Sequence, residues 1–198
     1  VGAAGTDDFG ESFESWTKSW EASCRRADLT LQRIGPDTNQ ETDDKDQLKA
    51  SLDKLSETNS PRPLWLVLIG HGTYARGTAK FNLRGPDISA ATLGEWLRPF
   101  QRPLVVVNCA SSSAPFINRL SGPNRVIVTA TKSGYELNYA RFGEYLSAAI
   151  ADPSADLDKD QQTSLVEAFL LASRRVQDFY TQQARLATET ALIDDNGD

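Results

Sequence analysis

The chain has 198 residues, of which 39% are hydrophobic and 24% charged, with a net charge of −6 at pH 7. That profile suits one well-cored globular domain and argues against disorder. The acidic balance argues against binding a nucleic-acid backbone, which takes clustered Lys and Arg, and apolar runs of about six residues fall far short of the roughly 18 needed to span a bilayer.

The start at Val1, with no methionine and no charged–apolar–small leader, reads as a processing boundary and leaves the localisation open. Val1-Gly2-Ala3-Ala4-Gly5 reads as the tail of a strand entering a glycine turn. Phe9, Phe13, Trp16, Trp20 and Cys24 then follow at helical spacing and predict one buried helix face, with Cys24 as a small core residue. Leu29 to Ile34 alternates with period two and predicts a strand stopped by Gly35-Pro36. A polar, acidic loop leads to a second helix carrying Leu48, Leu52 and Leu55, which Ser60-Pro61 ends.

Pro63 to Ile69 is an almost unbroken apolar run and predicts a strand buried on both faces, as in a parallel sheet. Short alternation from Tyr74 to Gly85 predicts a small antiparallel excursion. Ser89 opens a helix with Leu93, Trp96, Leu97 and Phe100, and LVVVNCA makes a second buried strand. A helix with Pro115 near its start, a strand over 125–130 and helices over about 138–151 and 161–193 complete the chain. The final helix, with apolar positions from Leu165 to Tyr180, packs back on the domain. Strands alternating with helices predict an α/β three-layer sandwich around a mostly parallel sheet.

In such sheets ligands sit beyond the carboxyl ends of the strands. Two runs end there in a reactive residue: WLVLIG delivers His71, the single histidine, and LVVVN delivers Cys109. A thiol is a poor nucleophile at neutral pH unless a partner generates its thiolate, and a nearby imidazole does so as general base, then protonates the leaving amine. The amides of Gly72 and Cys109, the latter at a helix start, would form an oxyanion hole. Serine chemistry of the α/β-hydrolase kind is excluded, because the chain has no GxSxG elbow and no histidine after His71. Ser111, Ser112 and Ser113 read as caps of the helix after Cys109.

No metal or cofactor site is expected. Two cysteines without a CxxC and one histidine cannot complete a zinc site, and a Cys24–Cys109 disulfide is not expected. The terminal Asp194-Asp195-Asn196-Gly197-Asp198 contains the first half of a calcium-loop pattern, but reads as a frayed polar end.

A hydrophobic strand ending in His-Gly, about forty residues, then a hydrophobic strand ending in Cys-x-Ser resembles the caspase-fold cysteine peptidases, the clan of legumains, caspases, metacaspases and gingipains. The segments VGAAGT and IVTATKSGYELNYARFGEYL resemble legumain-like members in particular, and the likeness covers about residues 1 to 150. It implies His71 as general acid/base, Cys109 as nucleophile, Gly72 as an oxyanion donor, a peptide or protein substrate, and an extracytoplasmic setting. It also implies a peptidase domain over 1–155, with 156–198 as a helical extension packed on it.

The chain departs from that pattern at Val107, where members often carry Glu, Asp or Gln for the substrate pocket. It also departs at Ser112, where many have Gly, and around Thr6-Asp7-Asp8-Phe9-Gly10, where no equivalent of a histidine-supporting Asn or a pocket Arg stands. Val107, Asn108, Thr131, Ser133 and Glu136 are the pocket candidates by position, Glu136 also reading as a plain solvated charge. The rivals are a catalytically inactive scaffold of the same fold, favoured by Val107, and a small-molecule binder using GAAG as a phosphate turn.

Overall fold

The computed structural model describes residues 1–35, 43–58 and 60–197. The polar loop expected before the second helix and Asp198 of the terminal motif lie outside the described residues. Among the described residues the strands form two sheets. The larger has the order β1 (Leu64–Leu68), β5 (Leu104–Asn108), β6 (Arg125–Thr129), β7 (Leu192–Asp195), and the smaller β2 (Gly72–Ala75), β3 (Thr78–Phe81), β4 (Ile88–Ser89).

Helix α1 (Asp7–Arg26) has Asp7 and Asp8 in its first turn and Arg25 and Arg26 in its last, matching the helix dipole at both ends. Its expected stripe is buried at Phe13, Trp16 and Trp20, while Cys24 is only half-buried. Val1 to Ala3 forms no strand, although the Gly2 amide donates to Ile69 O at 2.7 Å and the Ala3 amide to Asn82 O at 3.1 Å. Leu29 to Ile34 forms none either: Leu29 is 52% exposed and Leu31 39%. Alternation supplies a strand with a face but not with a ladder partner.

Helix α2 (Asp44–Ser56) buries Leu48 and Leu52, and its buried Asp44 accepts from Arg84 Nε and Nη2 at 3.0 and 2.7 Å. Strand β1 (Leu64–Leu68) follows. It is the outer strand of the larger sheet, so Trp65 is 39% exposed and burial on both faces fails there. The antiparallel excursion is present as β2 (Gly72–Ala75), β3 (Thr78–Phe81) and β4 (Ile88–Ser89). Arg76 and Gly77 turn the hairpin at φ of 50° and 76°, the left-handed pair that a two-residue turn needs.

Ser89 caps α3 (Ala90–Leu97) by accepting the Thr92 amide at 3.1 Å. Strand β5 (Leu104–Asn108) is buried at every position and pairs in parallel with β1 and with β6 (Arg125–Thr129). Between them a 3-10 turn at Ala114–Phe116 leads into the one-turn α4 (Ile117–Leu120).

The C-terminal part corrects the sequence reading. Helix α5 spans Phe142–Ala149, α6 spans Leu165–Gln182, and Leu192–Asp195, expected as the end of a helix and the start of a frayed terminus, form β7 antiparallel to β6. Helix α6 turns inward the stripe Ala168, Ala172, Val176 and Tyr180 and leaves Val166 and Leu170 exposed. The small residues let it lie close on α5. Up to Gly197 the terminal segment is docked and not frayed: the Asn196 amide donates to Arg125 O at 2.8 Å, and the Asn196 Oδ1 accepts the Asn124 amide at 2.9 Å.

The result is a mixed α/β fold in three layers. One face of the larger sheet carries a core of Phe13, Trp16, Val107, Cys109, Phe142 and Leu146 under α1, α5 and α6. The other carries Leu68, Val106, Leu93, Leu97 and Ile127 under α2, α3, α4 and the smaller sheet. Among the described residues no helix is long and apolar enough to cross a membrane.

Candidate functional site at the carboxyl edge of the parallel sheet

Strands β1 and β5 run side by side with Leu68 opposite Asn108, so both chains leave the sheet at the same edge. Side chains alternate between faces along a strand. Val105, Val107 and Cys109 on one chain and Val67 and Ile69 on the other accordingly share the core beneath α1 and α5. Phe13, which lies in that core, touches the His71 ring. The two strands that lead to His71 and Cys109 thus end at the same edge of the sheet.

Their environments are unlike those of a working pair. Cys109 is 1% exposed, and a Cβ on Gly143 would come within 2.6 Å of its own Cβ and 2.7 Å of the Trp16 ring. Burial pushes the thiol up to about 12. The His71 Nε2 lies 3.0 Å from Ala4 O. A carbonyl only accepts, so this contact fixes the proton on Nε2. The ring is edge-on to Phe9 at 4.7 Å and to Phe13 at 5.1 Å, with Tyr139 at 6.2 Å. Among the described residues no hydrogen bond joins His71 to Cys109.

The expected oxyanion donors also differ. The Cys109 amide continues the ladder by donating to Leu68 O at 2.9 Å, and the following 3-10 turn starts only at Ala114, so Cys109 does not open a helix. Gly72 opens β2, where its carbonyl accepts from Ser111 Oγ at 3.1 Å. A Cβ at Gly72 would fall 2.1 Å from Ser111 O, so only glycine permits this close approach.

The serines stitch loops together and do not cap the helix. Ser113 Oγ pairs with Thr131 Oγ1 at 3.1 Å. Ser112 sits at φ 55° with its amide donating to Glu136 O at 2.9 Å, and its buried hydroxyl has no partner among the described residues.

The five pocket candidates are structural in this conformation. Val107 is fully buried in the core and faces no pocket, because its strand position points under α1 and α5. Asn108 is 1% exposed, and its Oδ1 accepts the Ala110 amide at 3.1 Å. Buried Thr131 accepts the amides of Ser113 and Ala114 at 2.8 and 3.2 Å, doing from another segment what a capping residue does locally. Ser133 Oγ accepts the Tyr135 amide at 3.1 Å. Glu136, half-exposed, accepts the Lys132 amide at 2.8 Å, closing the 131–137 loop. Two surface hollows lie elsewhere, one over the outer face of α1 at Glu14 and Lys18, the other between α3 and α4 at Gly94 and Arg119.

Several residues that matter were not singled out from sequence. Tyr139 and the Ala4 carbonyl enclose His71 and carry no sequence signal for that role. Glu189 is 3% exposed and accepts the amides of Arg141 and Phe142 and the Tyr180 hydroxyl. Asp156, Asp158 and Glu167 place one oxygen each within 4.8 Å of one another. Their signal, acidic residues at alternate positions with a glutamate beyond, stands in the sequence. The chain matches no family model and no curated protein.

Proposed function

We propose that the chain is a caspase-like, legumain-like cysteine peptidase domain held in a closed state, with His71 and Cys109 as its dyad. The observation that carries this reading is their position: the carboxyl ends of two adjacent parallel strands, on one face, beneath one helix. The small sheet inserted between His71 and the crossover helix α3 supports the same reading. In the open state His71 takes the proton from Cys109 Sγ, and the sulfur attacks the scissile carbonyl. The tetrahedral adduct then collapses to a thioester as His71 protonates the leaving amine. Water, deprotonated by His71, releases the acid and restores the thiol. Opening requires Phe13, Trp16 and Tyr139 to move away from the edge.

A second reading is a catalytically inactive binding module of the same fold, favoured by the burial of Cys109 and by Val107 in a polar residue's place. Acyloxymethyl ketones of varied side chain, applied to the wild type and to Tyr139→Ala, separate the two. The peptidase reading expects an adduct on Cys109 by mass spectrometry, faster in Tyr139→Ala and absent when His71→Ala is added. No adduct on either folded protein across the panel would leave the binding module standing.

A further inference from the structure

We propose that residues 156–167, between the 3-10 turn at Pro153–Ala155 and α6, form a calcium-binding loop. The inference is independent of the peptidase reading. The run is Asp156-Leu157-Asp158-Lys159-Asp160-Gln161-Gln162-Thr163-Ser164-Leu165-Val166-Glu167. It carries acidic residues at the first, third, fifth and twelfth of twelve positions, the pattern by which a helix-adjacent loop wraps a hard cation with alternate oxygens. The seventh position offers the Gln162 carbonyl and the ninth the Ser164 hydroxyl. The exit helix starts at the tenth, Leu165, so Glu167 stands in its first turn.

The folded geometry brings the donors together. Oxygens of Asp156, Asp158 and Glu167 lie within 4.8 Å of one another. Lys159 and Gln161 take φ of 67° and 70°, turning the loop tightly enough to gather its acidic side chains. Gln161 stands where such loops almost always have glycine, yet adopts the left-handed backbone that the position demands.

A separate observation points to a ligand. Asp156 Oδ2 accepts the Gln161 amide at 3.0 Å, but Oδ1 is closed off from solvent and has no hydrogen-bond donor among the described residues. A carboxylate oxygen buried without a donor is costly, and a cation at the centre of the cluster satisfies it. Several acidic oxygens gathered by one irregular loop suit calcium, which accepts six to eight ligands in loose geometry, over magnesium, which demands a rigid octahedron. The ion would fix the 156–164 connection to the start of α6.

The test uses the whole 198-residue chain, stripped with EDTA, dialysed and titrated with CaCl2 by calorimetry, with thermal unfolding in parallel. The expected result is about one ion per chain with a dissociation constant of about 10⁻⁵–10⁻³ M, and a midpoint raised by several degrees in calcium but less in magnesium. Asp158→Asn, at an exposed residue whose carboxylate accepts the Asp160 amide, should weaken binding at least about tenfold. It should leave the midpoint in EDTA near that of the wild type. Glu167→Gln should also abolish the calcium shift, but should lower the EDTA midpoint, because the carboxylate accepts the Leu157 amide on one oxygen and the Ser164 amide on the other, and a carboxamide keeps only one acceptor oxygen. No binding by the wild type up to about 10 mM calcium overturns the proposal. So does unchanged affinity in Asp158→Asn, which would locate the ion elsewhere, including the docked terminus at Asp194 to Gly197.

Discussion

At the scale of single residues, Cys109 decides how the edge behaves. With its thiol pushed up to about 12, the thiolate fraction at pH 7 is about 10⁻⁵. Iodoacetamide at pH 7 should therefore modify half-buried Cys24 first and leave Cys109 untouched until urea unfolds the chain, as peptide mass spectrometry would read. Labelling of Cys109 in the folded protein on the time scale of Cys24 would contradict the closed edge. The same burial has a pH consequence. Unfolded, the thiol titrates near 9, and folded near 12, so between those values the unfolded chain has released a proton that the folded chain still holds. Stability then falls as pH rises from about 9 towards 12. Cys109→Ala should flatten that loss, measured as denaturation midpoints across the alkaline range, whatever it costs in packing at pH 7.

At the scale of elements, contiguous apolar runs proved legible and partner-dependent segments did not. LWLVL and LVVVN are strands because several β-branched and aliphatic residues in a row fit a sheet covered by helices, and both were readable to within a residue or two at their ends. Leu192-Ile193-Asp194-Asp195 is half acidic and becomes a strand only because β6 offers an open edge, which no local pattern announces. Leu29 to Ile34 is the converse, a good pattern without a partner.

Helix α5 shows another nonlocal dependence. Its first amides are received by Glu189, about fifty residues downstream and buried, with its carboxyl raised by desolvation despite those bonds. Glu189→Ala would leave the Arg141 and Phe142 amides without their acceptor and the Tyr180 hydroxyl with Thr188 Oγ1 alone. The expected loss is about 2–3 kcal/mol in urea unfolding at pH 7, against about 1 kcal/mol for Tyr180→Phe, which removes one of those bonds. Equal losses for the two variants would mean that the carboxylate does not hold the start of α5.

At the scale of the whole molecule, the layer sealing the candidate site is assembled from both ends of the chain. Helix α1 supplies Phe13 and Trp16, and α5 supplies Gly143 beside Cys109. Behind α5 lies α6, whose Ala168 and Ala172 join the same core. That the runs before His71 and Cys109 end side by side was readable from sequence, because two contiguous apolar runs joined by a helical segment fit neighbouring parallel strands. The closure of that edge was not, since a helix face at Phe9, Phe13 and Trp16 looks the same whether it packs on a sheet or over a reactive edge. A boundary near residue 155 suits the reading of 156–198 as an appended helical unit. Against it stand β7 in the central sheet, α6 on the core, and Glu189 at the start of α5. A chain ending at Ala155 would leave β6 with an unpaired edge, uncover Phe142 and Leu146, and strand the α5 amides without Glu189. We therefore expect the full chain to unfold in one transition, with tryptophan fluorescence and far-ultraviolet circular dichroism coincident. The 1–155 fragment should show no cooperative transition and should bind a hydrophobic dye. Cooperative unfolding of that fragment, with native near-ultraviolet dichroism, would make the C-terminal part a true appendage.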